Sequence, residues 1–253
     1  MNARLAVGIV ALIWGASHAA PVAVRHEEGL LHGFLTLSSP EGKTLANGDL
    51  TEVAQGDRVT AHLVFHFKDG SLHDETVVFT QKNVFRLRSF HLIQKGPAFP
   101  LQMDFAMNTD SGQVAQIYTD HGKTKKFSAG MDLPADVSNG IMPTLLRNFP
   151  RDSSRVTLSM VVSAPKPRVV KLEVSRDGED SFQLGGSKRK AVRYKIHVRI
   201  GGVAGFLAPF FNKQPPDFHV WILGGEAPAF VRSEAPLYAG GPAWRIDLIS
   251  PAW

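Results

Sequence analysis

Cysteine is absent from all 253 residues. That excludes disulfides, thiol catalysis, cysteine-bound metal and the lipid-carrying cysteine of a lipoprotein. No later apolar run approaches the about 20 residues that a membrane-spanning helix needs. No Gly-x-Ser-x-Gly elbow occurs, so the sequence offers no α/β-hydrolase signature. No glycine-rich loop follows a strand, ends in Lys-Ser or Lys-Thr and opens a helix, which excludes a P-loop. Positive charge is slight: 28 basic against 23 acidic side chains, net +5. It is spread along the chain, where nucleic-acid binding needs a clustered patch.

What is present begins with an export pattern. Arg4 opens a short positive start, Leu5 to Gly15 is apolar, and Ser17-His18-Ala19 offers small residues before a cut. A signal peptide over 1–19 and a single domain over 20–253 are expected, with a periplasmic or secreted mature protein. An exported chain without disulfides fits a bacterial envelope. Val22 to Gly29 is expected to be a poorly ordered lead-in.

Strand signals then dominate. Leu30 to Leu37 forms a first strand, closed by Ser38-Ser39-Pro40-Glu41-Gly42. The next begins at Val59, where Val59, Ala61, Leu63, Phe65 and Phe67 alternate with Thr60, His62, Val64, His66 and Lys68. Asp69-Gly70 turns the chain back through Thr76 to Thr80. Val84 to Gln94 slips in pattern near Ser89-Phe90, which predicts a bulge. Met103, Phe105 and Met107 share a face, and short strands follow at 113–119 and 123–128.

One helix is expected after Ser138, its N-cap candidate, with Ile141, Leu145, Leu146 and Phe149 on one face and Pro150 as its end. Beyond it, Val156 to Val162 and Val170 to Val174 alternate, and Asp177-Gly178 reads as a turn. Val192, Tyr194, Ile196, Val198 and Ile200 oppose Arg193, Lys195, His197 and Arg199. A one-residue slip there would bury four basic or titratable groups, so the register is fixed. Strands at 218–223, 229–233 and 244–249 complete the pattern.

Between two of these strands lies an uncharged stretch, Val203 to Phe211, with Pro215-Pro216 beyond. It is too short to stand alone as a helix and is read as a second helix, a lid docked on the sheet. The fold class is mainly β: a single strongly curved antiparallel sheet, a half-barrel, with two short helices on its concave side. An apolar ligand is expected against Met103, Phe105, Phe206, Leu207, Phe210, Phe211 and Trp221.

Polar chemistry is sparse. His62 and His66 are four residues apart on a strand, about 13 Å, too far to chelate one ion. The histidines are read as solvent-face residues of strands; no metal, no cofactor and no catalytic residue are assigned. The favoured function is non-enzymatic binding of a lipid-like or other apolar ligand, or of an apolar segment of an envelope partner, without nucleic acid. The alternatives are a hydrolase-type enzyme using Glu75, Asp217 and His219, and a purely structural interaction module.

Several stretches resemble a group of uncharacterised exported bacterial proteins, a domain of unknown function. They are Lys68 to Gln81, Gln94 to Phe99, Met131 to Pro134, Gly201 to Gly205, Lys213 to Asp217, Trp221 to Phe230 and Gly240 to Trp244. That resemblance implies no activity. More distantly, the order of strands and helices is similar in architecture to periplasmic lipoprotein carriers of the LolA and LolB kind, which implies a half-barrel and bears on fold more than function.

Overall fold

The computed structural model describes residues 21–150, 155–163, 166–184, 186–199 and 215–249. Fourteen strands and one helix follow in chain order: β1 Leu30–Ser38, β2 Thr44–Gln55, β3 Arg58–Phe67, β4 Leu72–Gln81, β5 Phe85–Lys95, β6 Gln102–Asn108, β7 Gln113–Asp120, β8 Lys123–Gly130, α1 Met142–Arg147, β9 Arg155–Val162, β10 Arg168–Leu184, β11 Ser187–Arg199, β12 Phe218–Leu223, β13 Ala229–Ala235 and β14 Trp244–Ile249. All fourteen strands form one antiparallel sheet, not closed into a barrel, in the order β8-β7-β6-β5-β4-β3-β2-β1-β14-β13-β12-β11-β10-β9. The first and last strands are neighbours, in register from Phe34 opposite Ile249 to Ser38 opposite Arg245.

The expected β architecture is therefore present as a single antiparallel sheet. Of the two expected helices, the described residues hold one. The second, with Phe206, Leu207, Phe210 and Phe211, lies outside them, as does the expected signal peptide over 1–19. One continuous core joins residues of both arms of the sheet, from Phe79, Phe90 and Phe105 to Leu158, Leu172 and Ile196. The arms thus wrap toward each other, and α1 fills the space between.

The connection between β8 and β9 does this filling. Ser138 is not an N-cap: its hydroxyl donates to Ser159 O at 2.8 Å, and the helix starts at Met142 after an uncapped Ile141. Asn139 bonds both N–H and C=O of Val161 through its side chain. The outer edge of β9 is thereby paired along part of its length, as an edge strand requires. Gly140 then turns the chain inward at φ +71°; a Cβ there would strike Val77 at 2.4 Å and Glu75 at 2.8 Å. Ile141, Leu145, Leu146 and Phe149 are all buried, as their spacing predicts.

Three further local expectations are corrected and one is met. The lead-in is ordered: Val22 O accepts from Phe85 N, Arg25 and His26 N–H groups donate to Asn148 Oδ1, and Glu28 exchanges two hydrogen bonds with the Gln81 side chain. Asp177-Gly178 is a bulge inside β10, where the register shifts between Arg176 and Glu179, and the chain turns later, after Leu184. The expected β5 bulge is real and falls at Arg88: Val78 faces Ser89 and Phe79 faces Leu87. Finally β2 exists. Its Asn47-Gly48-Asp49 imitates a turn, yet Gly48 is there because the Phe65 ring of β3 lies across it, 2.4 Å from where a Cβ would be.

Candidate functional site

Strand parity decides which side chains of β1 to β4 face inward. On β4 they are His73, Glu75, Val77, Phe79 and Gln81, and on β2 Ala46, Gly48, Leu50, Glu52 and Ala54. Small inward residues, Gly33 on β1 and Ala61 on β3, leave space under the sheet. Together with Pro143, Thr144 and Arg147 from α1, Phe230 from β13 and Ile246 and Leu248 from β14, they enclose a cavity of about 240 Å³. Its wall is mainly aliphatic. Two acids break it, Glu52 and Glu75.

Both acids are perturbed for one reason. Burial without compensating partners pushes each carboxyl from 4.5 up to about 7. The cation on the same wall does not relieve them: the Arg147 guanidinium pairs with Glu28, itself buried, whose backbone is pinned to Gln81. Burial also lowers the Arg147 pKa.

Glu75 borders a second hollow of about 200 Å³, with His73, Phe105, Asn139 and Leu237. His73 is 2 % exposed, and burial depresses it to about 4, against a smaller opposing pull from Asp74. It is neutral at pH 7. Gln94 Nε2 donates to Leu237 O at 2.7 Å and to His73 Nδ1 at 3.0 Å. Nδ1 is thus the acceptor, and the proton sits on Nε2. That N–H has no hydrogen-bond partner and stands 3.9 Å from Glu75 Oε2. The reading of strand histidines as solvent-facing holds for half-exposed His62 and His91 and fails for His73.

The residues expected to bind a ligand are placed differently. Met103 and Phe105 are buried on the inner face of β6 as core; Phe105 also borders the second hollow. Trp221 is on the opposite face of the sheet from Val220 and Ile222. It clusters there with Ala191 and Val231, and its indole N–H donates to Asp180 Oδ2 at 2.7 Å. Neither Met103 nor Trp221 reaches the larger cavity.

The enzyme trio is not assembled. Asp217 holds His197 at 2.7 Å, and His219 lies 3.7 Å from Asp177, all on the outer face. Glu75 is on the inner face, with the sheet between them. Among the described residues no three His, Asp or Glu side chains converge to hold a metal ion, and no helix is long and apolar enough to cross a membrane.

Glu52, His73 and Gln94 escaped the sequence reading as site residues. For His73 and Glu75 a signal existed: they share parity with Val77 and Phe79. For Glu52 it was hidden with the whole of β2.

No family model matches the chain, and no curated protein does. A solved structure similar to it is a β-barrel-like protein of domain of unknown function DUF1849 from Brucella abortus. The two share 11% identity over 87% of this chain and 94% of that one, with a TM-score of 0.45.

Proposed function

We propose that the protein is a non-enzymatic binding protein, exported to the bacterial envelope, that takes a small apolar molecule or one segment of a lipid-like chain into the interior of its sheet. The observation that carries this reading is the 240 Å³ cavity with its aliphatic wall. A hollow of about 150 Å³ holds benzene, and drug-sized pockets begin near 300 Å³. The size therefore suits a short chain or a single ring system, not a whole two-tailed lipid. The export half of the proposal rests on the Arg4, Leu5 to Gly15, Ala19 pattern alone.

An enzymatic reading has less support. Thr144 and Ser233 bring hydroxyls to the cavity wall, but among the described residues no Ser, Thr or Lys side chain is hydrogen-bonded to His73, whose side-chain neighbours are Gln94 and Glu75. Filling the cavity tests the proposal. Ala61→Phe, at the cavity wall, should abolish capture of a fluorescent alkyl probe while leaving the melting temperature unchanged or raised. Undiminished probe binding by a folded Ala61→Phe protein would remove the interior as the site.

A further inference from the structure

The larger cavity has an unbalanced charge count. Arg147 is taken by Glu28. His32 borders the cavity, but its ring turns to Asp49 at 3.1 Å, on the outer face. Glu52 and Glu75 remain. Apart from neutral His73, 3.9 Å from Glu75, neither has a hydrogen-bond or ionic partner among the described residues. Glu52 is only 7 % exposed.

Their placement is set by register. Glu52 is opposite Ala61, and Ala61 is opposite Val77, two residues along β4 from Glu75. The two carboxyl-bearing positions are thus two strands and two residues apart, about 10 Å across the sheet and about 7 Å along it. Between them lie Ala61 and Leu63, the smooth apolar part of the wall. A group lying on Ala61 would have a carboxyl to either side.

Unpaired carboxyls buried in an apolar wall are costly, and what relieves them is a cation that brings its own hydrogen-bond donors. An ammonium offers three N–H donors and one charge. A fatty-acid carboxylate would add a third negative group and offer no donor. An alcohol would supply one hydrogen bond and no charge.

We propose that the cavity binds an amphiphilic amine, its ammonium between Glu52 and Glu75 and its apolar part against Leu35, Leu63, Ile246 and Leu248. This rests on the reading of the cavity as a ligand site and specifies the polar end of that ligand. One ammonium balances one carboxylate, so binding ionises one of the two carboxyls and up to one proton leaves as the amine enters. Because each carboxyl holds its proton up to about pH 7 in the empty protein, affinity falls below pH 7 and proton release fades well above it.

The experiment is calorimetric titration of the full chain with hexylamine, hexanol and hexanoate. It is run at pH 6.5 and 8.5, in buffers of different ionisation enthalpy. Hexylamine is expected to bind at least ten-fold more tightly than hexanol at pH 8.5, hexanoate more weakly than either, and protons should be released at pH 6.5. In Glu52→Gln and Glu75→Gln the advantage of the amine over the alcohol should shrink at least five-fold with alcohol affinity kept. The unmodified protein's pH dependence supplies a second readout that needs no variant to fold. Hexanol or hexanoate binding as tightly as the amine, or an amine advantage that survives in the double Gln variant, overturns the cationic ligand and leaves apolar binding standing. Failure of all three probes to bind overturns both.

Discussion

The two faces of the same six strands treat ionisable side chains in opposite ways. Outside, charges are matched across neighbouring strands: His32 with Asp49, His62 with Asp74, and His91 with Asp104, at 3.1, 2.9 and 2.9 Å. The match recurs every second strand, because His32, Thr51, His62, Thr76 and His91 stand in one row across β1 to β5. Inside, Glu52, His73 and Glu75 are unmatched. The matched pairs are half-exposed, where water already screens them and each contributes little. The unmatched groups lie where the dielectric is low and each imbalance is expensive. Tidy ion pairing therefore marks the face with little at stake, and untidy pairing marks the face that holds the candidate site.

The contrast can be broken most severely on β11. Ile196 is 3 % exposed and faces the core, while its neighbour Lys195 faces out. Ile196→Asp places an unpaired charge among apolar groups and should cost more than about 4 kcal/mol, read as loss of the cooperative melting transition.

Next comes the interior pair. Arg147→Ala leaves Glu28 buried with its carboxyl unanswered, and should cost about 3–5 kcal/mol at pH 7 by urea unfolding. Glu28→Gln combined with Arg147→Leu should recover most of that loss, since removing both charges removes the imbalance.

A pH series sharpens the comparison further. In the folded chain Glu75 keeps its proton to about pH 7, against 4.5 in the open chain. Between those values the folded state binds more protons, so this group lowers stability as pH rises from about 4.5 to about 7. His73 acts in the other direction. Its folded value is about 4 against 6.5 unfolded, so its contribution is present above pH 6.5 and is lost as pH falls toward 4. The two slopes oppose each other from 4.5 to 6.5, and above 6.5 the carboxyls act alone. Glu75→Gln should therefore match the parent at pH 5 and exceed it by on the order of 2–3 kcal/mol at pH 8. Equal urea midpoints at pH 8 would show that Glu75 already has a partner.

The smallest effect belongs to the outer face. Lys195→Ala should shift stability by no more than about 0.5 kcal/mol, and His62→Ala by less than about 1 kcal/mol. A larger shift in either would place that side chain against something other than solvent.

The sheet was legible in the sequence wherever one face is apolar and the other polar. Val192 to Val198 and Met103 to Met107 alternate cleanly, and burial follows. Legibility failed where a residue serves a neighbour instead of its own strand. β2 went unassigned because nothing around Gly48 says that a Phe65 ring needs its place. Gly178 reads as a turn because a bulge and a hairpin both take a glycine at positive φ, +103° here. The lead-in read as loose because its anchors, Gln81 and Asn148, are 53 and about 120 residues away. The site was the least legible part. The apolar residues that stood out are mostly core, and the cavity is defined by small residues and by two acids whose inward direction depends on register.

Every pair of neighbouring strands is consecutive in the chain except β1 with β14. During synthesis the first eight strands can therefore zip locally, but β1 keeps a free edge until the last strand has been made. That long-range closure carries the highest contact order in the molecule and is the natural slow step. The cavity straddles this seam, with Gly33 and Leu35 on one side and Ile246 and Leu248 on the other. It cannot exist in a nascent or truncated chain, so the proposed ligand capture would be a late event that reports completion. A ligand touching both sides would then hold the seam shut and stabilise the complete chain by mass action.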